Sequence, residues 1–337
     1  MFLLSFSENF LDKAKVEQFI STLENNGSVK LQTSGSTGKP KLLSYSTSIL
    51  KKSARKTNTF FNFTKKTKSL LCLNLDTIAG KMMLTRAHEG NYSIHLTTPS
   101  KRPLEFTEMP LDFIALVPIQ LKESLLYDLE KLQEIKIILV GGGPIAKDLE
   151  ELLCEKKLTV YHSFGMTETV SHVALRKVGY HQEDYFNALS GIHFSSQAGQ
   201  LVIHAPELAV DELITNDLVD LISDKTFKWL GRKDFVINTG SYKIHPELLE
   251  NSWSKFLDCQ FFLWKEPSLK WGEKMVMYFE NTVWPDFDKS DLLLIFKAYE
   301  LPKTYYLCDE FVYTESGKIN RSATVLSNPR EHREGTL

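Results

Sequence analysis

The chain of 337 residues is short of most features that mark special classes of protein. It has four cysteines, Cys72, Cys154, Cys259 and Cys308, scattered without a C-x-x-C pair. That spacing argues against a disulfide framework or a thiolate zinc site and fits a reducing compartment. Its nine histidines show no H-E-x-x-H or comparable spacing, so the usual signature of a bound transition metal is missing. Glycines and prolines number only 17 and 12, well under the share found in low-complexity or fibrous chains. Charge of one sign is lacking too, because 40 Lys and Arg face 42 Asp and Glu, leaving a net charge of −2. No global field recruits nucleic acid or an anionic membrane, and any phosphate chemistry must come from a local site. No apolar run approaches the ~18–20 residues of a membrane helix. The apolar start at Met1–Phe6 has neither a basic flank nor a small-residue cleavage site. The expectation is a soluble cytoplasmic protein with no nucleic-acid partner and no membrane insertion.

What is present is an ordinary globular composition, 42% hydrophobic and 24% charged, long enough for two domains at about 150 residues each. Apolar spacing predicts a helix over Leu11–Leu23 and a helix from Ser46 to about Phe60, with a short run, Val29–Gln32, leading into the loop between them. Strand-like and helix-like segments then alternate: Leu70–Leu75, Ile78–His88, Ser93–Leu96, Phe113–Val117, Ile119–Leu132, Ile135–Val140, Ile145–Cys154 and Leu158–His162. Such alternation points to an α/β fold with a mostly parallel sheet flanked by helices. Residues 187–230 change texture to short strands and turns, the mark of a small β subdomain. Beyond Gly231–Asp234 the pattern is mixed α+β, with helices at Pro246–Phe256 and Ser290–Tyr299 and strands at Cys259–Trp264 and Lys274–Phe279. The boundary is placed at Asp234, giving a large domain of residues 1–233 and a small one of 234–337.

Several segments carry groups suited to phosphate and ribose chemistry. Thr33, Ser34, Gly35, Ser36, Thr37, Gly38, Lys39, Pro40 and Lys41 form a loop rich in backbone N–H groups, hydroxyls and lysines, suited to β- and γ-phosphates. Pro40 after Gly38-Lys39 rules out a Walker loop. A surface turn has the same composition. Thr167 and Glu168, just past a central strand, suit a phosphate and its Mg²⁺, or equally a helix cap. Gly141, Gly142 and Gly143 let a flat ring approach the backbone, or make a plain strand-to-helix turn. Asp217 and Arg232 suit ribose hydroxyls, and Lys318 sits in a tight loop near the C-terminus; by themselves these read as a turn aspartate and solvated cations.

Their joint order is more specific. T-S-G-S-T-G-K-P-K, V-G-G-G-P, F-G-M-T-E-T, T-N-D, G-R-K-D-F-V-I-N-T-G-S-Y-K-I-H-P-E-L-L-E and S-G-K-I-N-R run from residue 33 to residue 321. Together they resemble the adenylate-forming superfamily of acyl- and aryl-CoA ligases, luciferases and peptide-synthetase adenylation domains. The resemblance implies a two-step reaction: a carboxylate attacks the α-phosphorus of ATP to give acyl-AMP and pyrophosphate, and the thiol of CoA then displaces AMP. It implies that Thr33–Lys41 hold the β/γ-phosphates, that Thr167 binds the α-phosphate and that Glu168 binds Mg²⁺. Phe164 and Gly141–Gly143 would flank adenine, and Asp217 and Arg232 would take the ribose. Lys318 would bridge the substrate carboxylate and the α-phosphate, with Asp234 the hinge of a mobile C-terminal domain. Leu42, Asn216 and Thr239 stand where that superfamily usually has glycine; Asn216 can keep a turn at positive φ, and the Thr239 loop is expected to differ.

Leu73–Ala87 and Ile114–Leu121 are similar, within the superfamily, to o-succinylbenzoate–CoA ligases of menaquinone biosynthesis, although Asp76 stands where a histidine is common. The likeness implies a dicarboxylic acid as the small-molecule substrate, with Arg86 gripping the carboxylate that does not react. Another aryl- or acyl-CoA ligase and a binding-only pseudoenzyme are the rival readings; an oligomer is compatible with all of them. In the superfamily a substantial N-terminal subdomain precedes the phosphate loop. Here the loop begins at Thr33, so that subdomain is expected to be missing.

Overall fold

The computed structural model describes every residue except 1, 9, 33–41, 108–109, 180–183, 258, 281–283, 285–288, 315–318, 328, 330 and 335–337. The chain opens with strand β1 (Leu3–Phe6) and helix α1 (Lys13–Glu24), whose Val16, Phe19 and Leu23 are buried at helical spacing. Asn26 at φ 50° turns the chain into the antiparallel hairpin β2 (Ser28–Gln32) and β3 (Leu42–Ser46). Next come α2 (Thr47–Phe60), β4 (Lys68–Leu71), α3 (Ile78–Gly90), β5 (Ser93–Leu96) and β6 (Phe113–Leu116). The Thr77 hydroxyl caps α3 by accepting from the Gly80 N–H at 3.2 Å, and Asn91 ends it in the left-handed region. Helices α4 (Pro118–Tyr127) and α5 (Leu129–Glu134) occupy the stretch that apolar spacing reads as one helix, broken at Asp128. Strand β7 (Ile137–Val140), α6 (Lys147–Glu155), β8 (Val160–Gly165) and β9 (His172–Lys177) follow.

Strands β1, β5, β4, β6, β7 and β8 lie side by side, all parallel. Alternate residues feed two cores. Leu71, Phe113, Ala115 and Leu139 face helices α1–α3, whereas Leu70, Ile114, Leu116, Ile138 and Val140 face α4–α6. Strands β4, β6 and β7, buried on both sides, carry such an apolar run and were visible in the sequence, whereas the edge strand β1, half exposed, was not read as a strand.

The β-rich region is not a separate sheet. Strand β9 pairs antiparallel with β8, and β10 (Tyr185–Ala188), β11 (His193–Gln197), β12 (Gln200–Ala205), β13 (Val210–Ser223) and β14 (Thr226–Arg232) extend the same sheet in the order β9-β10-β14-β13-β12-β11. The expected short strands include one of 14 residues, β13. That first sheet ends at Arg232. A second begins at Ile237 with β15 (Ile237–Thr239) and β16 (Tyr242–Ile244), after the turn Lys233–Phe235. Helix α7 (Pro246–Trp253), β17 (Gln260–Ser268), β18 (Gly272–Glu280), α8 (Lys289–Ile295), β19 (Thr304–Cys308), α9 (Arg321–Leu326) and β20 (Glu331–Glu334) complete it, around a core of Trp253, Leu263, Met277 and Phe279. Asn216 lies inside β13 rather than in a turn at positive φ, and the left-handed position in the next loop falls on Gly240 (φ 60°), one residue after Thr239. Among the described residues, no helix is long and apolar enough to cross a membrane.

Candidate active site

The site gathers at the carboxyl end of β8, where an open α/β sheet presents its ligand crevice. Gly165 ends this strand with a need for close approach: a Cβ there would fall 2.4 Å from the Cα of His172 on the returning strand. Thr167–Thr169 make one 3-10 turn, too short for the helix cap that the residue types allowed. Val170 then adopts φ 66° and ψ −42°, and the Ser171 N–H donates to the Thr169 carbonyl at 2.7 Å. A γ-turn of this hand is costly for a β-branched residue. It is held by complete burial of Val170 and by the Thr169 hydroxyl, which accepts from the Met166 N–H at 3.1 Å. The turn leaves the Thr167 hydroxyl and the Glu168 carboxylate partly exposed, and neither side chain has a hydrogen-bond or ion-pair partner among the described residues. The Tyr45 hydroxyl, near the end of the β2–β3 hairpin, donates to the Glu168 carbonyl at 3.2 Å. Burial, and then the Glu168 charge, raise the Tyr45 pKa.

One free carboxylate fits Mg²⁺, an ion that takes one or two carboxylates and draws its remaining oxygens from phosphates and water. Among the described residues no cluster of three His, Cys, Asp or Glu could form an all-protein metal cage.

Gly141–Gly143 leave β7 beside β8. The Gly141 N–H donates to the Leu116 carbonyl at 3.0 Å, and Gly142 takes φ 83°. His162, half-buried on β8, bonds the Gly143 carbonyl through Nε2 at 3.0 Å. Burial and the nearby Arg176 push its pKa down to about 3, so the ring is neutral and Nε2–H is the donor. His162 thus pins the glycine turn, a role with no local signal in the sequence. Phe164 stands on the same strand but packs within an aromatic cluster, 5.1 Å from Phe227 and 5.7 Å from Phe186.

Asp217 and Arg232 are cross-strand partners on β13 and β14. Asp217 Oδ1 accepts from the Trp229 indole at 2.9 Å and Oδ2 lies 3.6 Å from Arg232 Nη1. Arg232 Nη2 also reaches Asp234 Oδ2 at 3.3 Å, and Asn216 Nδ2 donates to the same oxygen at 3.2 Å. The structure therefore brings Asp217, Arg232 and Asp234 into one network.

Arg86 lies elsewhere in the site, on the buried face of α3, only 3% exposed. Its Nη2 donates to the Ser171 hydroxyl at 2.7 Å and lies 3.4 Å from His172 Nδ1; Nη1 has the weak thioether acceptor of Met83 at 3.6 Å, and Nε has no partner. Burial lowers its pKa to about 10, which leaves it cationic. Asp76 is ion-paired with Lys15 at 3.2 Å on the surface. Ser171, His172 and Thr57 complete this group, and pattern reading singled out none of them. Thr33–Lys41 and Lys318 lie outside the described residues. The loop bearing Lys318 is flanked by the Tyr313–Ile319 bridge and by Asn320, whose side chain caps α9 at 3.1 Å.

Comparison with known proteins adds an independent line. A family model described as AMP-binding enzyme matches residues 24–193. A 2-succinylbenzoate–CoA ligase of Staphylococcus epidermidis is 25% identical over 92% of this chain and 72% of its own length. Among solved structures, an acyl-CoA synthetase (AMP-forming)/AMP-acid ligase II-like protein of Dyadobacter fermentans is 31% identical, with a TM-score of 0.62 and 93% of each chain covered. The o-succinylbenzoate CoA synthetase of Bacillus subtilis, in complex with the acyl-adenylate OSB-AMP, superposes at a TM-score of 0.75 with 21% identity, over 91% of this chain and 70% of that one.

Proposed function

The chain belongs to the AMP-binding enzyme family, and on that footing we propose that it is an AMP-forming acid–CoA ligase whose acid is o-succinylbenzoate. A carboxylate is a poor acyl donor because its leaving group would be oxide. Attack of its oxygen on the α-phosphorus of ATP forms the acyl-phosphate bond and breaks the bond to pyrophosphate. The CoA thiol, losing its proton, then attacks the acyl carbon and AMP departs. Thr167 donates to the α-phosphate. Mg²⁺, held by Glu168 together with phosphate oxygens, would offset phosphate charge. The Gly141–Gly143 turn and Phe164 flank adenine, Asp217 and Arg232 orient the ribose, and Thr33–Lys41 hold the outer phosphates. Lys318 offsets charge as carboxylate and phosphate meet. Asp234, in the turn between the two sheets, is the hinge about which residues 234–337 move relative to residues 1–233.

One observation carries the choice of acid: Arg86 is a buried guanidinium without a carboxylate partner among the described residues. A desolvated cation is costly unless an anion meets it, and the second carboxylate of o-succinylbenzoate is such an anion. Relatives named 2-succinylbenzoate–CoA ligase support this reading. The protein is incubated with ATP, Mg²⁺, CoA and o-succinylbenzoate while pyrophosphate and the CoA ester are followed. Both products are expected in equal amounts. Turnover on benzoate or a fatty acid with none on o-succinylbenzoate would retire this acid, and ATP binding with no pyrophosphate from any acid would retire the ligase.

A further inference from the structure

Among the described residues Arg86 and Arg176 are buried and Arg232 and Arg321 partly so, and all of these but Arg86 have acids. Arg176 bonds Glu150 and Asp184, Arg232 meets Asp217 and Asp234, and Arg321 grips Glu250. Arg86 differs in kind. Among the described residues its side-chain partners are a hydroxyl, a thioether and an imidazole, all neutral.

The imidazole is the informative one. His172 starts β9 immediately after the strained turn at Val170 and is 6% exposed. Burial, and then the charge of Arg86, hold its pKa well below the ordinary histidine value, so the ring is neutral, and the Arg86 Nη2–H donor facing Nδ1 at 3.4 Å assigns that nitrogen as the acceptor. Its one proton sits on Nε2, 2.9 Å from the Thr57 hydroxyl, which in turn donates to the Ser53 carbonyl at 3.4 Å. The donors run in one direction: Arg86 to His172, His172 to Thr57, Thr57 to the backbone of α2. Arg86 Nη2, the His172 ring and the Thr57 hydroxyl are each bonded, Arg86 Nε is left without a partner, and among the described residues no negative charge enters the relay. A carboxylate in the place of His172 would hold the guanidinium equally well and would neutralise it.

We propose that His172, braced by Thr57, is a positioning residue of the acid site that orients the Arg86 guanidinium while withholding a counter-charge, so that the unreacting carboxylate of a dicarboxylic substrate is the anion that completes it. The proposal rests on the reading of Arg86 as the acid-binding cation. Ser171 shares the task at the same nitrogen, Nη2, at 2.7 Å, and like His172 it is neutral. Selectivity for a second carboxylate then follows from the lack of an internal ion pair among the described residues: an acid with a single carboxylate leaves the buried cation unmatched, and the dicarboxylate does not.

The test compares His172→Gln, His172→Glu and His172→Leu with the parent protein and with Arg86→Gln. Binding of o-succinylbenzoate and of ATP is read by calorimetry, and KM and kcat for the acid by pyrophosphate release. Glutamine keeps a neutral acceptor and a donor to Thr57, so its dicarboxylate affinity should stay within about threefold of the parent. Glutamate supplies the withheld charge, and o-succinylbenzoate affinity should fall at least about thirtyfold while ATP affinity moves less than about twofold. Leucine removes the acceptor, and the loss should appear mainly as a KM for the dicarboxylate raised about tenfold rather than in kcat. If His172→Glu binds o-succinylbenzoate as tightly as the parent while Arg86→Gln loses it, the positioning role is wrong and the acid-site reading survives. If Arg86→Gln has no effect, both fall. If His172→Glu does not fold, glutamine and leucine decide: equal losses of ATP and acid affinity in both would mean that His172 is only a packing residue.

Discussion

Arg321 holds both oxygens of Glu250, with Nη1 at 2.8 Å from one and Nη2 at 2.7 Å from the other, while its guanidinium stacks 4.8 Å from the ring of Phe235. This fork ties the first residue of α9, three positions after Lys318, to helix α7 and to the turn between the two sheets. Breaking one side of a largely desolvated pair leaves the other charge uncompensated. Glu250→Ala should therefore cost about 3 kcal/mol. The check is urea unfolding followed by tryptophan fluorescence; a midpoint within error of the parent would show that the pair contributes nothing.

Glu247, also on α7, accepts from the Arg232 N–H at 3.1 Å through Oε1, while its other oxygen has no hydrogen-bond partner. Burial raises its pKa from the ordinary carboxylate value to about 7, against the opposing pull of Arg321. A raised acid pKa means that the folded protein binds a proton the unfolded chain releases. Below the unfolded value both states are neutral and nothing is lost; between there and about pH 7 the folded state loses stability, and above pH 7 the full cost, on the order of 3 kcal/mol, is present. Glu247→Gln keeps the acceptor and removes the charge. It should raise the melting temperature at pH 8 and leave it nearly unchanged near pH 4.5. Equal shifts at both pH values would contradict the assignment.

Glu168→Gln preserves size and removes the charge offered to Mg²⁺. Pyrophosphate exchange into ATP should fall about a hundredfold, and the Mg²⁺ concentration giving half-maximal rate should rise. An unchanged Mg²⁺ dependence would move the metal to another group.

Lys318→Ala separates the two half-reactions. Acyl-AMP formation should drop by about a thousandfold, because an ammonium no longer offsets the charge gathering at phosphorus. Thioester formation from supplied acyl-AMP and CoA should persist, since that step has no second anion to bring together. Pyrophosphate release near the parental rate would falsify the role given to this lysine.

The parallel half of the first sheet was legible because both of its faces are buried. Continuous apolar strands such as Phe113–Leu116 and helices such as Lys13–Glu24 carry their own local period. The antiparallel half was legible only as texture. Strand β9, which welds it to β8, alternates nothing a reader could separate from a loop, and β19 and β20 are recruited by partners across the second sheet. Local pattern cannot report a pairing whose energy comes from a distant strand.

Candidate residues divide along the same line. Asp217, Arg232 and Glu168 were found from motif order along the chain, which reflects residue type and spacing alone. His172, Thr57 and Ser171 were invisible there, because a lone histidine or hydroxyl has no meaning until something is placed against it. Arg86 and His172 are 86 residues apart, and only folding α3 against the start of β9 puts a guanidinium beside a neutral imidazole. Residue order along the chain sets which groups exist and how they follow one another; folding sets which charge, among the described residues, is left without an opposite charge, because desolvation and pairing depend on what surrounds a group in space.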